Sequence, residues 1–182
     1  YKFWDELVRR HPGLLIDNCA SGGRRFDLET VSRSVALWRT DYADGKDPYI
    51  AEGFQSQTYG LQFWFPTGST GTGTLDQYHF RSTMANGMVV SWNPIPADFP
   101  IKQAEKLATE FHRARGFYFG DYYPLTGYST ASDVWIAYQF HRVDQRADVL
   151  ARIRPSAPAG GIEPRDHGLG QLALGLLEQL ED

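Results

Sequence analysis

Cysteine is nearly absent. Cys19 is the single one in 182 residues, which excludes an internal disulfide and a cysteine-rich zinc site. The five histidines form no H-x-x-x-H or H-E-x-x-H pair, so no metal is expected. Nothing approaches the roughly 18 consecutive apolar residues that a membrane span needs, so no membrane partner is expected. No block of about five or six basic residues occurs, and with a formal net charge of −4 nothing points to nucleic acid. No pattern for an organic cofactor is present either. Thr67–Thr74 is glycine-rich but lacks the Gly-Lys-Ser/Thr ending of a phosphate loop. No leader segment is visible, which gives a cytoplasmic location as the expectation. The chain opens on Tyr1 inside a helical pattern, so it reads as a piece of something longer.

What the sequence has in quantity is aromatic side chains, 14% of residues. Most are expected to fill the core. Some rings near glycines and polar groups would also suit the C–H face of a sugar. The length allows one domain with a good core, yet a complete (β/α)8 barrel typically takes about 250 residues.

The chain is organised around Leu14-Leu15-Ile16-Asp17-Asn18-Cys19-Ala20-Ser21-Gly22-Gly23-Arg24-Arg25-Phe26-Asp27. The apolar run Leu14–Ile16 predicts a buried strand, followed by a polar, glycine-rich turn. Asp27 with Thr30 three residues on predicts a helix start, the helix running to about Ser34. The grammar repeats at Val35-Ala36-Leu37-Trp38, which leads into Arg39-Thr40-Asp41. Each strand end then carries a carboxylate beside a cation, at the end where (β/α) enzymes place their chemistry.

Elsewhere the periodicity predicts helices over Tyr1–Arg10, from Lys46-Asp47-Pro48 to Tyr59, over Asp76–Ala85 and over Pro100–Arg115. Strands are predicted at Leu61–Phe65 and Gly87–Trp92. Thr67–Thr74 lacks a hydrophobic period and is expected as a mobile lid or rim loop. Phe117–Pro124 reads as irregular. Val134–His141 and Ala147–Ile153 predict a hairpin turning at Asp144-Gln145-Arg146. Ala157–Gly161 reads as a linker, and the leucine-rich Gly168–Leu180 as an amphipathic helix that does not continue a β-sandwich. The fold class is therefore α/β: half of a (β/α)8 barrel over residues 1–120, then antiparallel strands of an appended β-sandwich-like domain over 121–155. A linker and departing tail occupy 156–182.

Several residues carry two readings at this stage. Asp41 suits a general acid/base, or else a structural carboxylate that caps the next turn or pairs with Arg39. Asp17 either faces a ligand or bonds the turn amides. Cys19 has no histidine nearby in sequence to make it a nucleophile, leaving a packed or substrate-contacting thiol. Gly22 and Gly23 permit close backbone approach to a ligand, or simply a tight turn. Arg24 and Arg25 are expected to pair with Asp27 or Glu29.

Asp17-Asn18-Cys19-Ala20-Ser21-Gly22-Gly23-Arg24-Arg25-Phe26-Asp27 followed by Leu37-Trp38-Arg39-Thr40-Asp41 resembles the α-galactosidases (melibiases) of glycoside hydrolase family 36. Phe80-Arg81-Ser82, Gly87–Trp92 and Phe117–Thr126 are similar to one bacterial branch of that family. The resemblance implies the C-terminal half of a retaining hydrolase's (β/α)8 barrel and the start of its C-terminal β-domain. It implies Asp41 as acid/base and Cys19 and Gly22 as galactose contacts. Asp17 and Arg39 are counted with them as substrate-binding candidates. The implied partner is an α-galactoside oligosaccharide of the melibiose or raffinose type. A retaining mechanism needs a second carboxylate about 5–5.5 Å from the first. The family carries it in a Lys-x-Asp strand, a motif that this sequence does not contain. The isolated chain is therefore expected to be inactive. Alternatives are a non-catalytic galactoside-binding half-barrel, an α-N-acetylgalactosaminidase, and a homo-oligomer whose copies cover each other's strand edges.

Overall fold

The computed structural model describes residues 1–19, 27–34, 36–41, 50–65, 67–129, 131, 134–145, 147–153 and 175–178. Helix α1, Lys2–Arg10, closes with Arg9 and Arg10 in its last turn, where the helix dipole favours cations. The chain then turns through Gly13 at φ 92°, a left-handed value that glycine adopts without a Cβ penalty. The strand expected at Leu14–Ile16 is displaced: Leu15 is 70% exposed, and β1 is Asp17–Cys19. Pairing, not apolarity, sets it. Asp17 is the first residue to find a partner, Ala36, across the sheet.

Helix α2, Leu28–Val31, starts as the sequence predicts, on a reciprocal cap. The Thr30 amide donates to Asp27 Oδ1 at 2.8 Å, and the Asp27 amide to Thr30 Oγ1 at 3.2 Å. It ends earlier than expected, at Val31. Strand β2, Ala36–Trp38, leads toward α3, Ile50–Leu61. The strand predicted at Leu61–Phe65 is not formed. The Gln62 amide bonds Thr58 O at 3.2 Å and the Phe65 amide bonds Leu61 O at 2.9 Å, so helical bonding runs on through it.

The third strand is the stretch expected as a lid: β3, Gly68–Thr72. It lies between two neighbours, and small residues let it fit there. A Cβ on Gly68 would stand 3.2 Å from Arg39 Cδ, and one on Gly87 2.9 Å from Ser69 Oγ. Thr70 and Thr72 supply β-branched side chains, both buried. Helix α4, Gln77–Ser82, is capped by Asp76, whose Oδ1 accepts from the His79 amide at 2.9 Å. Strand β4, Gly87–Val90, and α5, Ile101–Ala114, complete the first half. Strands β1 to β4 form one parallel sheet in sequential order, with helices in the connections.

A 3-10 turn at Phe117–Phe119 leads into β5, Asp121–Pro124, where irregular chain was expected. Pro124 is tolerated because β5 is an edge strand. β5, β6 (Ile136–Arg142), β7 (Ala147–Ile153) and β8 (Gly175–Glu178) make an antiparallel sheet in that order. The β6–β7 hairpin matches the sequence reading. β8 corrects it: part of the leucine-rich tail adds a strand to β7 instead of forming a helix. The main core joins both halves, with Phe80, Met84 and Leu107 packed among Phe117, Tyr118, Ile136, Tyr138 and Phe140.

Candidate active site

The alternation of side chains along β1 decides which residues can meet a ligand. Asn18 is buried, while Asp17 and Cys19 are exposed on the opposite face. Cys19 stands level with Trp38 across the parallel pair, and paired residues of neighbouring strands share a face. The segments Asp17–Cys19 and Trp38–Asp41 therefore leave the sheet side by side, at the C-terminal ends of adjacent strands. Asp41 is exposed, three residues past Trp38. Gly22, Arg24 and Arg25 lie outside the described residues.

Arg39 goes the other way. It is 6% exposed, and its Nη1 donates to Thr58 Oγ1 of α3 at 3.1 Å. Among the described residues its Nε and Nη2, both buried, have no hydrogen-bond partner. Burial pushes the guanidinium down to about 10, opposed by Tyr138 and Tyr118. Both tyrosines are themselves held above the usual phenol range, chiefly by burial. The structure thus brings Asp17 and Cys19 together on one face and sets Arg39 on the other. Thr58, Tyr118 and Tyr138 around Arg39 were not anticipated from sequence. They lie in α3, in the turn before β5 and in β6, and no local spacing links them to Trp38–Asp41.

The end of β3 is tied down from the same edge. The Ser91 amide bonds Thr72 O at 3.1 Å, and Trp92 Nε1 bonds Thr74 O at 3.1 Å. Trp92 also stacks on Phe80, centroids 5.8 Å apart at 27°. The rims of β3 and β4 are fixed structure rather than the mobile loop expected. Among the described residues no cluster of His, Cys, Asp and Glu could hold a metal, and no helix is long and apolar enough to cross a membrane.

The fold that carries these strand ends has counterparts. The chain is similar to the family 36 α-galactosidases. It is 27% identical over 117 residues to the bifunctional α-galactosidase/sucrose kinase AgaSK of Mediterraneibacter gnavus. It is 31% identical over 71 residues to α-galactosidase C of Emericella nidulans. Among solved structures, the family 36 α-galactosidase AgaA of Geobacillus stearothermophilus in complex with raffinose matches 89% of this chain, with a TM-score of 0.66 and 18% identity. At that identity the match establishes the fold. The matches cover 59% and 39% of this chain in the two sequences but only 12% and 9% of those proteins. They cover 23% of the solved AgaA chain. No protein-family model matches the chain.

Proposed function

We propose that this chain is the acid/base-bearing part of a retaining α-galactosidase, the second half of a (β/α)8 catalytic barrel followed by a β-sandwich-like domain. In this reading residues 1–120 belong to the barrel and 121–155 to the β-domain. Asp41 protonates the departing glycosidic oxygen and then, as carboxylate, activates the water that releases the sugar. Cys19, Gly22 and Asp17 contact the galactosyl ring. Arg39, buried against α3, supports the Trp38–Asp41 segment from behind rather than touching the sugar. The substrate is an oligosaccharide ending in an α-galactosyl unit, the class that raffinose, bound by AgaA, exemplifies.

The observation that carries this reading is the register of β1 on β2. With Cys19 opposite Trp38, Asp17–Cys19 and Trp38–Asp41 leave the sheet at one edge. Fold and sequence likeness to α-galactosidases support it. A retaining mechanism uses two carboxylates, one as nucleophile, and the Lys-x-Asp motif is missing from the sequence. An aryl α-galactoside assay tests the assignment. The 182-residue chain should show no turnover alone. Joined to a barrel half that carries a Lys-x-Asp strand, it should turn over. Asp41→Asn should then reduce the rate about 100- to 10,000-fold, the usual contribution of a positioned acid/base. Activity of the joined protein that survives Asp41→Asn would remove Asp41 from the role.

A further inference from the structure

Arg39 is the first residue after β2 and lies two residues before Asp41. Its side chain is gripped along its length. A Cβ on Gly68 of β3 would stand 3.2 Å from Arg39 Cδ and 3.3 Å from Nε, so glycine lets the strand backbone close on the stem. At the tip, Nη1 donates to Thr58 Oγ1 of α3 at 3.1 Å. Among the described residues this is the hydrogen bond that the guanidinium makes. A planar group with five donors is thus oriented by a single hydroxyl.

Thr58 has a second tie. Its hydroxyl carries one proton and also accepts. With Arg39 donating to the oxygen, the proton is left for another partner, and Thr58 donates to the Tyr138 oxygen. Thr58 is 0% exposed and Tyr138 2%, so no water stands ready to replace either partner. Tyr138 is firmly placed. It sits on β6, which pairs with β5 on one side and β7 on the other. Its ring lies 5.9 Å from those of Tyr122 and Phe140, meeting Phe140 at 88°. The hydrogen bonds therefore run from a central strand of the antiparallel sheet, through α3, to the exit of β2. Buried chains of this kind stand or fall together, because each lost partner leaves a polar group unsatisfied.

We propose that Thr58 and Tyr138 are positioning residues for Asp41, acting through Arg39 from the side of the sheet opposite Cys19. Neither touches the sugar. Two residues separate Arg39 from Asp41, so a displaced guanidinium shifts the carboxyl relative to the glycosidic oxygen. A misplacement of about 1 Å can slow a reaction step by about 100-fold. The inference rests on the reading of Asp41 as acid/base. It makes the antiparallel sheet part of the catalytic unit.

The test uses the chain joined to a barrel half that carries a Lys-x-Asp strand, and compares kcat/KM for two substrates. Melibiose has a sugar leaving group that needs a proton from the acid. A dinitrophenyl α-galactoside has a leaving group that departs without one. Thr58→Val and Tyr138→Phe should lower kcat/KM for melibiose by about 10- to 100-fold and for the dinitrophenyl substrate far less. Thr58→Ser, which keeps the hydroxyl, should restore the melibiose rate. A purely structural lesion would lower both substrates alike, and that result overturns the positioning role. Asp41→Asn separates the two levels. A split between substrates in Asp41→Asn but not in Thr58→Val or Tyr138→Phe rejects the relay and keeps the acid/base. No split in Asp41→Asn rejects the acid/base reading and the relay with it. A second readout needs no turnover. In the 182-residue chain, the NMR order parameter of the Asp41 amide should fall toward the flexible range in Tyr138→Phe, which removes one oxygen atom. An unchanged order parameter would equally overturn the proposal.

Discussion

At the scale of the residue, glycines give the sharpest contrast in the chain. Gly120 has φ −85° and ψ −177°, an extended conformation open to any residue, so its backbone does not demand glycine. Its space does. A Cβ would lie 2.2 Å from His141 O, the residue that pairs with Asp121 at the start of β5. Gly120→Ala must push β5 off β6, and the overpacking should cost about 1–3 kcal/mol or more. Gly116, four residues earlier, has φ −66° and nothing within 4 Å of its would-be Cβ. Gly116→Ala should therefore be neutral or stabilise by up to about 1 kcal/mol. Urea unfolding of the two variants checks both signs, and equal losses would show that crowding at His141 is not the cause. The same contrast explains what was legible at the candidate site. That Asp17 and Cys19 share a face follows from a period of two once the strand is placed at Asp17–Cys19, three residues beyond the apolar run from which it was expected. That Arg39 turns inward to Thr58 cannot, because its partners come from α3, β6 and the turn before β5, and burial there is decided by packing.

At the scale of the element, α1 shows how a helix can be held without a core. None of its residues is buried, and Phe3 is 71% exposed. Its described ties to α2 and the turn after it are polar. Tyr1 OH donates to Asp27 Oδ2 at 3.0 Å, and Arg33 Nε donates to Asp5 Oδ1 at 2.6 Å. Arg33 also lies 5.3 Å from the Tyr1 ring centroid. The hydrogen bond from Arg33 holds the Asp5 carboxyl below its ordinary range. Asp5 therefore contributes stability that is fully present above the unfolded carboxylate pKa and is lost as pH falls through the lowered folded value. Amide exchange in α1 should accelerate below about pH 4, and high salt should act in the same direction by screening the exposed pair. The core strand β6 should be unaffected under both conditions. Exchange in α1 that is flat across this range, or matched by Arg33→Gln at neutral pH without change, would refute the ion pair's role. Elements also mark where sequence reading failed. Leu14–Ile16 looked like a strand because it is apolar, and Gly68–Thr72 like a loop because it is not. In a sheet with neighbours on both sides, room for Arg39 and Ser69 mattered more than hydrophobic alternation.

At the scale of the whole molecule, the two sheets are not independent. Phe80, Met84, Leu107 and Tyr118, all before residue 120, share a cluster with Ile136, Tyr138 and Phe140 from the antiparallel half. Tyr118 meets Phe140 edge-on at 4.8 Å. Polar ties follow the same seam: Tyr122 OH donates to Tyr59 O at 3.0 Å, and the Tyr59 hydroxyl donates to Thr126 O. A boundary at residue 120 can separate two topologies, but the core crosses it. Removing the antiparallel strands would expose Phe80 and Leu107, now 1% and 0% exposed, and would take Tyr138 away from Arg39. A chain ended at Gly120 should therefore fail to fold cooperatively rather than persist as a stable parallel sheet with its helices. Phe140→Ala, deleting a ring that is 0% exposed, should cost about 3–5 kcal/mol. Its effect should appear equally in probes of both halves, the fluorescence of Trp38 and Trp92 on one side and β6 amide exchange on the other. Two separate transitions, with the tryptophans untouched by Phe140→Ala, would mean that the halves fold apart and that the shared cluster adds little. A single shifted transition would place the geometry of the Cys19 and Asp41 strand ends under the control of a core that the antiparallel sheet completes.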